Sequence, residues 1–344
     1  MKKLFILVAA VLFVLAYTLP VMAAAQWNFY GNARMSTFYD MDSGDVSATA
    51  FDDDDLTWGL QGNSRIGASV KAGDIGGGFE YGTGVNVRKL YGTWDFGGGQ
   101  LLVGQTYTPV NVFPSNQVYG GDTDLLPYGG IYNGRRPMIQ LKFGGLKLAF
   151  VEPHTGNVSG AADTDTSIPK VEASYLFKTG GFAIKPMAGY NVYEEVDALD
   201  NGTSVSSYFA GLYLKYAAGP FYVAGDVYMG QNLGQYGLWQ QGADDAGWSG
   251  TDVVDNDTFG FLGVVGFKVN DMLTFEAGYG QNSHELDGAS DSDDTASYYA
   301  NATINLAKGC FIVPEIGVVD YKDSAAGVDQ GDTSYFGAKW QINF

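Results

Sequence analysis

Apolar and polar residues alternate one for one in many short windows of the chain. Trp27, Phe29, Gly31, Ala33 and Met35 interleave with Asn28, Tyr30, Asn32, Arg34 and Ser36. Val171, Ala173, Tyr175 and Phe177 interleave with Lys170, Glu172, Ser174 and Lys178, and Phe336, Ala338, Trp340, Ile342 and Phe344 with Tyr335, Lys339, Gln341 and Asn343. A strand sends successive side chains to opposite faces, so each window predicts a strand with one apolar and one polar face. The pattern predicts strands at roughly 27–39, 56–72, 76–85, 87–96, 100–107, 136–144, 146–152, 169–178, 182–193, 206–217, 221–230, 257–269, 272–282, 295–306, 310–321 and 333–344. Three of these (76–85, 87–96 and 257–269) alternate poorly, so the count is about sixteen, with fourteen or eighteen open.

The connectors are of two kinds. Short Gly-rich turns such as Gly73-Asp74-Ile75-Gly76, Gly97-Gly98-Gly99 and Ala218-Gly219-Pro220 alternate with long polar loops near 40–55, 108–134, 153–168, 194–205, 231–256, 284–294 and 322–332. Short turns on one side and long loops on the other are the layout of a transmembrane barrel. A ring of about sixteen strands is too wide for side chains to fill, so its interior is wet and takes the polar faces. The apolar faces then meet lipid, with Trp27, Trp58, Trp94, Phe221, Trp340 and Phe344 near strand ends as interfacial girdles. The expected fold is all-β: one transmembrane antiparallel up-and-down β-barrel over residues 26–344.

Composition agrees with that layout. The 344 residues are 46% hydrophobic but only 17% charged, with 49 Gly, 23 Tyr and 21 Phe. After residue 19 no apolar run reaches the ~18–20 residues of a spanning helix. The formal net charge of −19 argues against a nucleic-acid binder. A single cysteine, Cys310, excludes a disulfide framework. Met1-Lys2-Lys3, an apolar stretch from Leu4 to Leu19 and the small residues of Val21-Met22-Ala23-Ala24-Ala25 read as a secretory signal peptide over 1–25, cleaved after Ala23 or Ala25. Removal of residues 1–25 takes the formal charge to −21.

Several segments look familiar. Gln61-Gly62-Asn63-Ser64-Arg65-Ile66-Gly67 resembles the second-strand motif of Gram-negative general porins, and Tyr30-Gly31-Asn32 their first strand. The run from Tyr91 to Gln105 resembles their fourth and fifth strands. Asp122-Thr123-Asp124-Leu125-Leu126-Pro127-Tyr128-Gly129-Gly130 is similar to the tip of their inward-folded third loop, and Phe344 to their terminal aromatic residue. The resemblance implies a homotrimer in the bacterial outer membrane. It implies that each barrel is a water-filled path for passive diffusion of ions and small hydrophilic solutes, narrowed by a third loop at 108–134. Carried over position by position, it implies a basic wall drawn from Arg34, Arg65, Arg135, Arg136 and Lys142. An acidic loop carrying Asp122 and Asp124 would face that wall, with Asn32 and Gln105 as further pore-lining residues. Such opposed charges set ion preference.

Acidic residues also crowd the loops, with seven between Asp40 and Asp55. They suggest a mild cation preference, since a vestibule of one sign concentrates counter-ions. Asp52, Asp53, Asp54 and Asp55 are weak candidates for loosely bound Ca²⁺, without EF-hand spacing. No other cofactor and no catalytic residue is expected: His154 and His284 lie far apart, and no G-x-S-x-G elbow is present. Two alternatives stay open, a substrate-specific outer-membrane channel (sugar, organic acid or phosphate) and a structural or adhesive surface barrel. Conductance separates them.

Overall fold

The computed structural model describes residues 25–43, 54–161, 163–197 and 201–344. The signal-peptide reading falls on residues outside this set apart from Ala25, as do Asp52 and Asp53. Sixteen strands are described in the ring, and the chain visits them in order. The first eight are β1 (Gln26–Asp42), β2 (Asp54–Leu60 continued by Arg65–Ala72), β3 (Ile75–Gly82), β4 (Val87–Asp95), β5 (Gln100–Tyr107), β6 (Arg135–Phe143), β7 (Leu146–Val151) and β8 (Lys170–Tyr175 continued by Phe177–Thr179). The second eight are β9 (Phe182–Val196), β10 (Gly202–Ala218), β11 (Phe221–Gln231), β12 (Asn256–Lys268), β13 (Leu273–Leu286), β14 (Asp293–Ala307), β15 (Cys310–Asp320) and β16 (Asp332–Asn343). Each pairs antiparallel with the next. The ring closes through β1 and β16, from Asn32 opposite Asn343 to Asp42 opposite Thr333. Beyond that seam, Gly31 and Phe344 exchange both backbone hydrogen bonds, at 2.8 and 3.0 Å. Closure leaves no unpaired edge, the condition for a sheet to sit in hydrocarbon.

The two faces divide as the alternation requires. Phe29, Trp58 and Ile316 on the outside are 73%, 71% and 63% exposed, whereas Asn282 and Ser297 inside are fully buried. β12 breaks the simple rule because its inward positions include Leu262 and Val264. They are apolar because a loop packs against them inside the barrel. That is why its sequence alternates poorly while its side chains still alternate between faces. The four-residue connection 83–86 joins β3 to β4 on the long-loop side, so the rim is low there.

Candidate channel constriction

Loop 3 (108–134) leaves β5, crosses the inside of the ring and returns to β6. Its apolar side chains anchor it twice. Val118, Leu125 and Tyr128 pack on Leu262, Val264, Val313 and Val319 of the wall. Val110, Val112 and Ile131 pack on Met187, Phe209 and Tyr228, and on Leu233, Tyr236 and Leu238 of loop 6 (232–255). Val110, Leu125 and Ile131 are completely buried, and full burial of such a side chain stabilises by roughly 1.5–3 kcal/mol.

Loop backbone taken from water must find acceptors and donors. Three wall glutamates provide acceptors. Glu172 on β8 accepts the Val110 N–H at 3.0 Å, the Tyr236 hydroxyl at 3.1 Å and the Asn133 amide. Glu276 on β13 accepts the Asn116 N–H at 2.6 Å and the hydroxyls of Tyr222 and Tyr299. Glu315 on β15 accepts the Val118 and Tyr119 N–H groups at 2.8 and 2.9 Å and the Asn301 amide at 2.9 Å. All three carboxylates are buried against the loop.

The loop tip turns tightly, with positive φ at Gly120, Gly121, Asp122, Asp124 and Leu125. For Leu125 that backbone is strained, and burial of its side chain holds it. Asp122 forms ion pairs with Arg34 of β1 and with Lys339 of β16, the latter at 3.0 Å. It also accepts the Asn63 amide at 3.1 Å, and the same amide donates to Gly121 at 2.9 Å. Asn63 reaches the tip because β2 breaks between Leu60 and Arg65, where Ser64 Oγ accepts the Arg34 N–H at 2.9 Å. Asp124 has no ion pair among the described residues. Burial, then the neighbouring Asp122 charge, raises its carboxyl well above the ordinary aspartate value.

The structure gathers some sequence-derived residues and separates others. Arg34 and Asp122 touch, and Asn32 Oδ1 accepts the Arg34 Nε–H at 3.1 Å. Arg65 lies 3.6 Å from Glu80, which also binds Arg88 at 2.9 Å and Lys89 at 3.1 Å. Arg135 donates to the Tyr107 hydroxyl at 3.1 Å. Arg136 stands apart from this cluster: it donates to the Gly237 and Asn133 carbonyls and ties loop 6 to loop 3. Lys142 lies on another stretch of wall, opposite Lys147.

Gln105 corrects the pore-lining expectation. It pairs with Leu90, shares the face of Leu101 and Val103, and its amide donates to the Val87 and Arg88 carbonyls. The period of two puts its neighbour Gly104 on the inner face instead. Sequence reasoning left Glu80, Arg88, Lys89, Lys147 and Lys339 out of the site. Lys339 was visible on the polar face of its strand. Arg88 was not, because a register shift at Glu80/Tyr81 is needed to bring it to Glu80.

Between β2 and β7 the inner wall surrounds a cavity of about 480 Å³, lined by Lys71, Lys142 and Lys147 together with Tyr91, Gln100, Tyr107 and Gln140. Lys71 is paired with Asp95. Lys142 and Lys147, directly opposite one another, have no carboxylate partner among the described residues. Like charges so placed repel, so this wall carries uncompensated positive charge. No group of three or more His, Cys, Asp or Glu side chains among the described residues is arranged to hold a metal ion.

No family model matches the sequence, and no curated protein matches it. Solved structures do match. The outer membrane channel DcaP of Acinetobacter baumannii is 16% identical, with a TM-score of 0.74 over 93% of this chain and 97% of that one. The fold is that of the outer-membrane porins. The trimer form of OmpT, an outer membrane protein of Vibrio cholerae, matches at 15% identity and TM-score 0.61 over 93% of this chain and 100% of that one. The anion-selective porin from Comamonas acidovorans matches at 14% identity and 0.61, again over 93% and 100%. At these identities the likeness speaks for the porin fold rather than for any one porin's solutes.

Proposed function

We propose that this chain is an outer-membrane diffusion channel for ions and small hydrophilic solutes that favours anions. The place of action is the bacterial outer membrane: a closed ring with an apolar exterior has no other solvent to face than lipid. Residues 1–25 direct export, and three barrels assemble as in the trimer form of the Vibrio porin-fold protein. No catalytic step enters this reading.

One observation carries the anion preference. The wall glutamates Glu172, Glu276 and Glu315 are turned to loop 3 and buried, while Lys142 and Lys147 line the cavity with no ion-pair partner among the described residues. The mild cation preference expected from sequence rested on the acidic loops and on the net charge of the chain. Much of that charge lies in the loops, and a Debye length of about 8 Å at physiological salt screens it from solutes deep inside. Along the wall of the cavity the sign is the opposite one.

The test is the reversal potential of purified channels in a potassium chloride gradient. The potential should report chloride preference, and Lys142→Glu with Lys147→Glu should move it to the potassium side. A potassium-selective wild-type channel would overturn the proposal, and an absence of conductance would return the adhesive-barrel reading.

A further inference from the structure

We propose that four aromatic rings at the loop-side mouth of the lysine-lined cavity form a binding subsite for aromatic carboxylates. The inference deepens the anion-channel reading and rests on it. Tyr107 ends β5, Phe113 and Tyr132 belong to loop 3, and Trp239 belongs to loop 6. Their centroids run 5.2 Å from Tyr107 to Phe113, 5.8 Å from Phe113 to Tyr132 and 5.7 Å from Tyr132 to Trp239, each contact edge to face. The Trp239 backbone N–H donates to the Tyr132 carbonyl at 2.9 Å, so the backbones that carry the two rings are held together.

Phe113 is 45% exposed and Trp239 44% exposed, yet both belong to loops folded into the barrel rather than to the lipid-facing wall. Apolar ring surface left in water is unfavourable, and edge-to-face packing leaves ring faces free for a planar solute. Tyr107 continues this string into the wall of the cavity.

Cations sit on the same string. The Arg135 guanidinium lies 5.2 Å from the Tyr107 ring centre and the Lys89 ammonium 5.4 Å. Arg135 uses one N–H on the Tyr107 hydroxyl and keeps others for a carboxylate, which guanidinium binds in a fork. A solute with an aromatic ring and one carboxylate satisfies both halves of the site. A small aliphatic anion meets only the charge, and a neutral ring only the stacking.

The experiment uses the full-length channel in planar bilayers, with its chloride preference recorded first. Benzoate added on the loop side should interrupt the current at millimolar concentration, acetate should not, and cyclohexanecarboxylate should act about tenfold more weakly. Phe113→Ala and Trp239→Ala should each weaken the benzoate block about tenfold, the scale of one lost ring contact of about 1.4 kcal/mol, with the reversal potential unchanged. Phe113→Leu and Trp239→Leu keep an apolar side chain without the ring and should show the same loss where the alanine variants fail to insert. Equal effects of benzoate and acetate, or of benzoate and cyclohexanecarboxylate, would overturn the subsite, as would a block that survives loss of either ring. A potassium-selective reversal potential before any benzoate is added would instead defeat the underlying anion reading.

Discussion

Asp122 shows how much one side chain at the loop tip decides. It touches both Arg34 and Lys339, so no gap separates acid from base at that point. Its side chain is 5% exposed and that of Lys339 only 6%. Removing one partner of so buried a group leaves the other charges uncompensated, at a cost of roughly 3–5 kcal/mol. Asp122→Asn is therefore expected to loosen the tip, raise single-channel conductance and shift the reversal potential further toward chloride; unchanged values of both would place the tip outside the current path. The residue was legible in the sequence as an acid on a loop resembling a porin tip. Its partner Lys339 was legible only as a polar-face lysine, because a contact between positions 122 and 339 depends on ring closure. Gln105 failed for a local reason, since a one-residue difference in parity turns a side chain to the other face.

Loop 6 is the element that sequence said least about. It reads as a long acidic loop, yet Gln241 donates its N–H to the Pro127 carbonyl at 2.9 Å and its own carbonyl accepts from the Asn282 amide at 2.6 Å. Loop 6 thus lies on loop 3 inside the mouth. Hydrophobic patterning could not show this, because Leu233, Tyr236 and Leu238 are too few to set a period. Asp244 in this loop makes its docking pH-dependent. Burial, then the adjacent Asp245 charge, pushes its carboxyl up to about 7. A raised folded value means that the charged form opposes docking, so the docked loop is favoured below the ordinary aspartate range and loses that advantage as pH rises toward 7. Hydrogen exchange of residues 233–246 should slow between pH 8 and pH 6 after correction for intrinsic rates, and Asp244→Asn should abolish the difference. The strands, by contrast, were legible almost residue by residue. Period-two alternation survives wherever the lumen is wet, and it faded in β12 where loop 3 replaced water.

At the scale of the molecule, the chain separates its charges by place. Acids collect in loops and beneath loop 3, while bases remain along the cavity. Whole-chain charge was readable at once, but its distribution needed the path of loop 3. If three such barrels assemble, a single inserted unit should close in three equal current steps at high voltage, and one or two steps would count against the trimer. The seam of the ring has a further consequence. The last residue bonds to the backbone of Gly31, more than three hundred positions earlier. Contacts of that separation are slow to form, and here they are what turns a ribbon into a tube. A ribosome cannot release half a tube: every strand must exist before the first can lose its bare edge. Until that moment the polypeptide is an adhesive sheet in need of an escort, and a copy cut short by even its final strand would remain one.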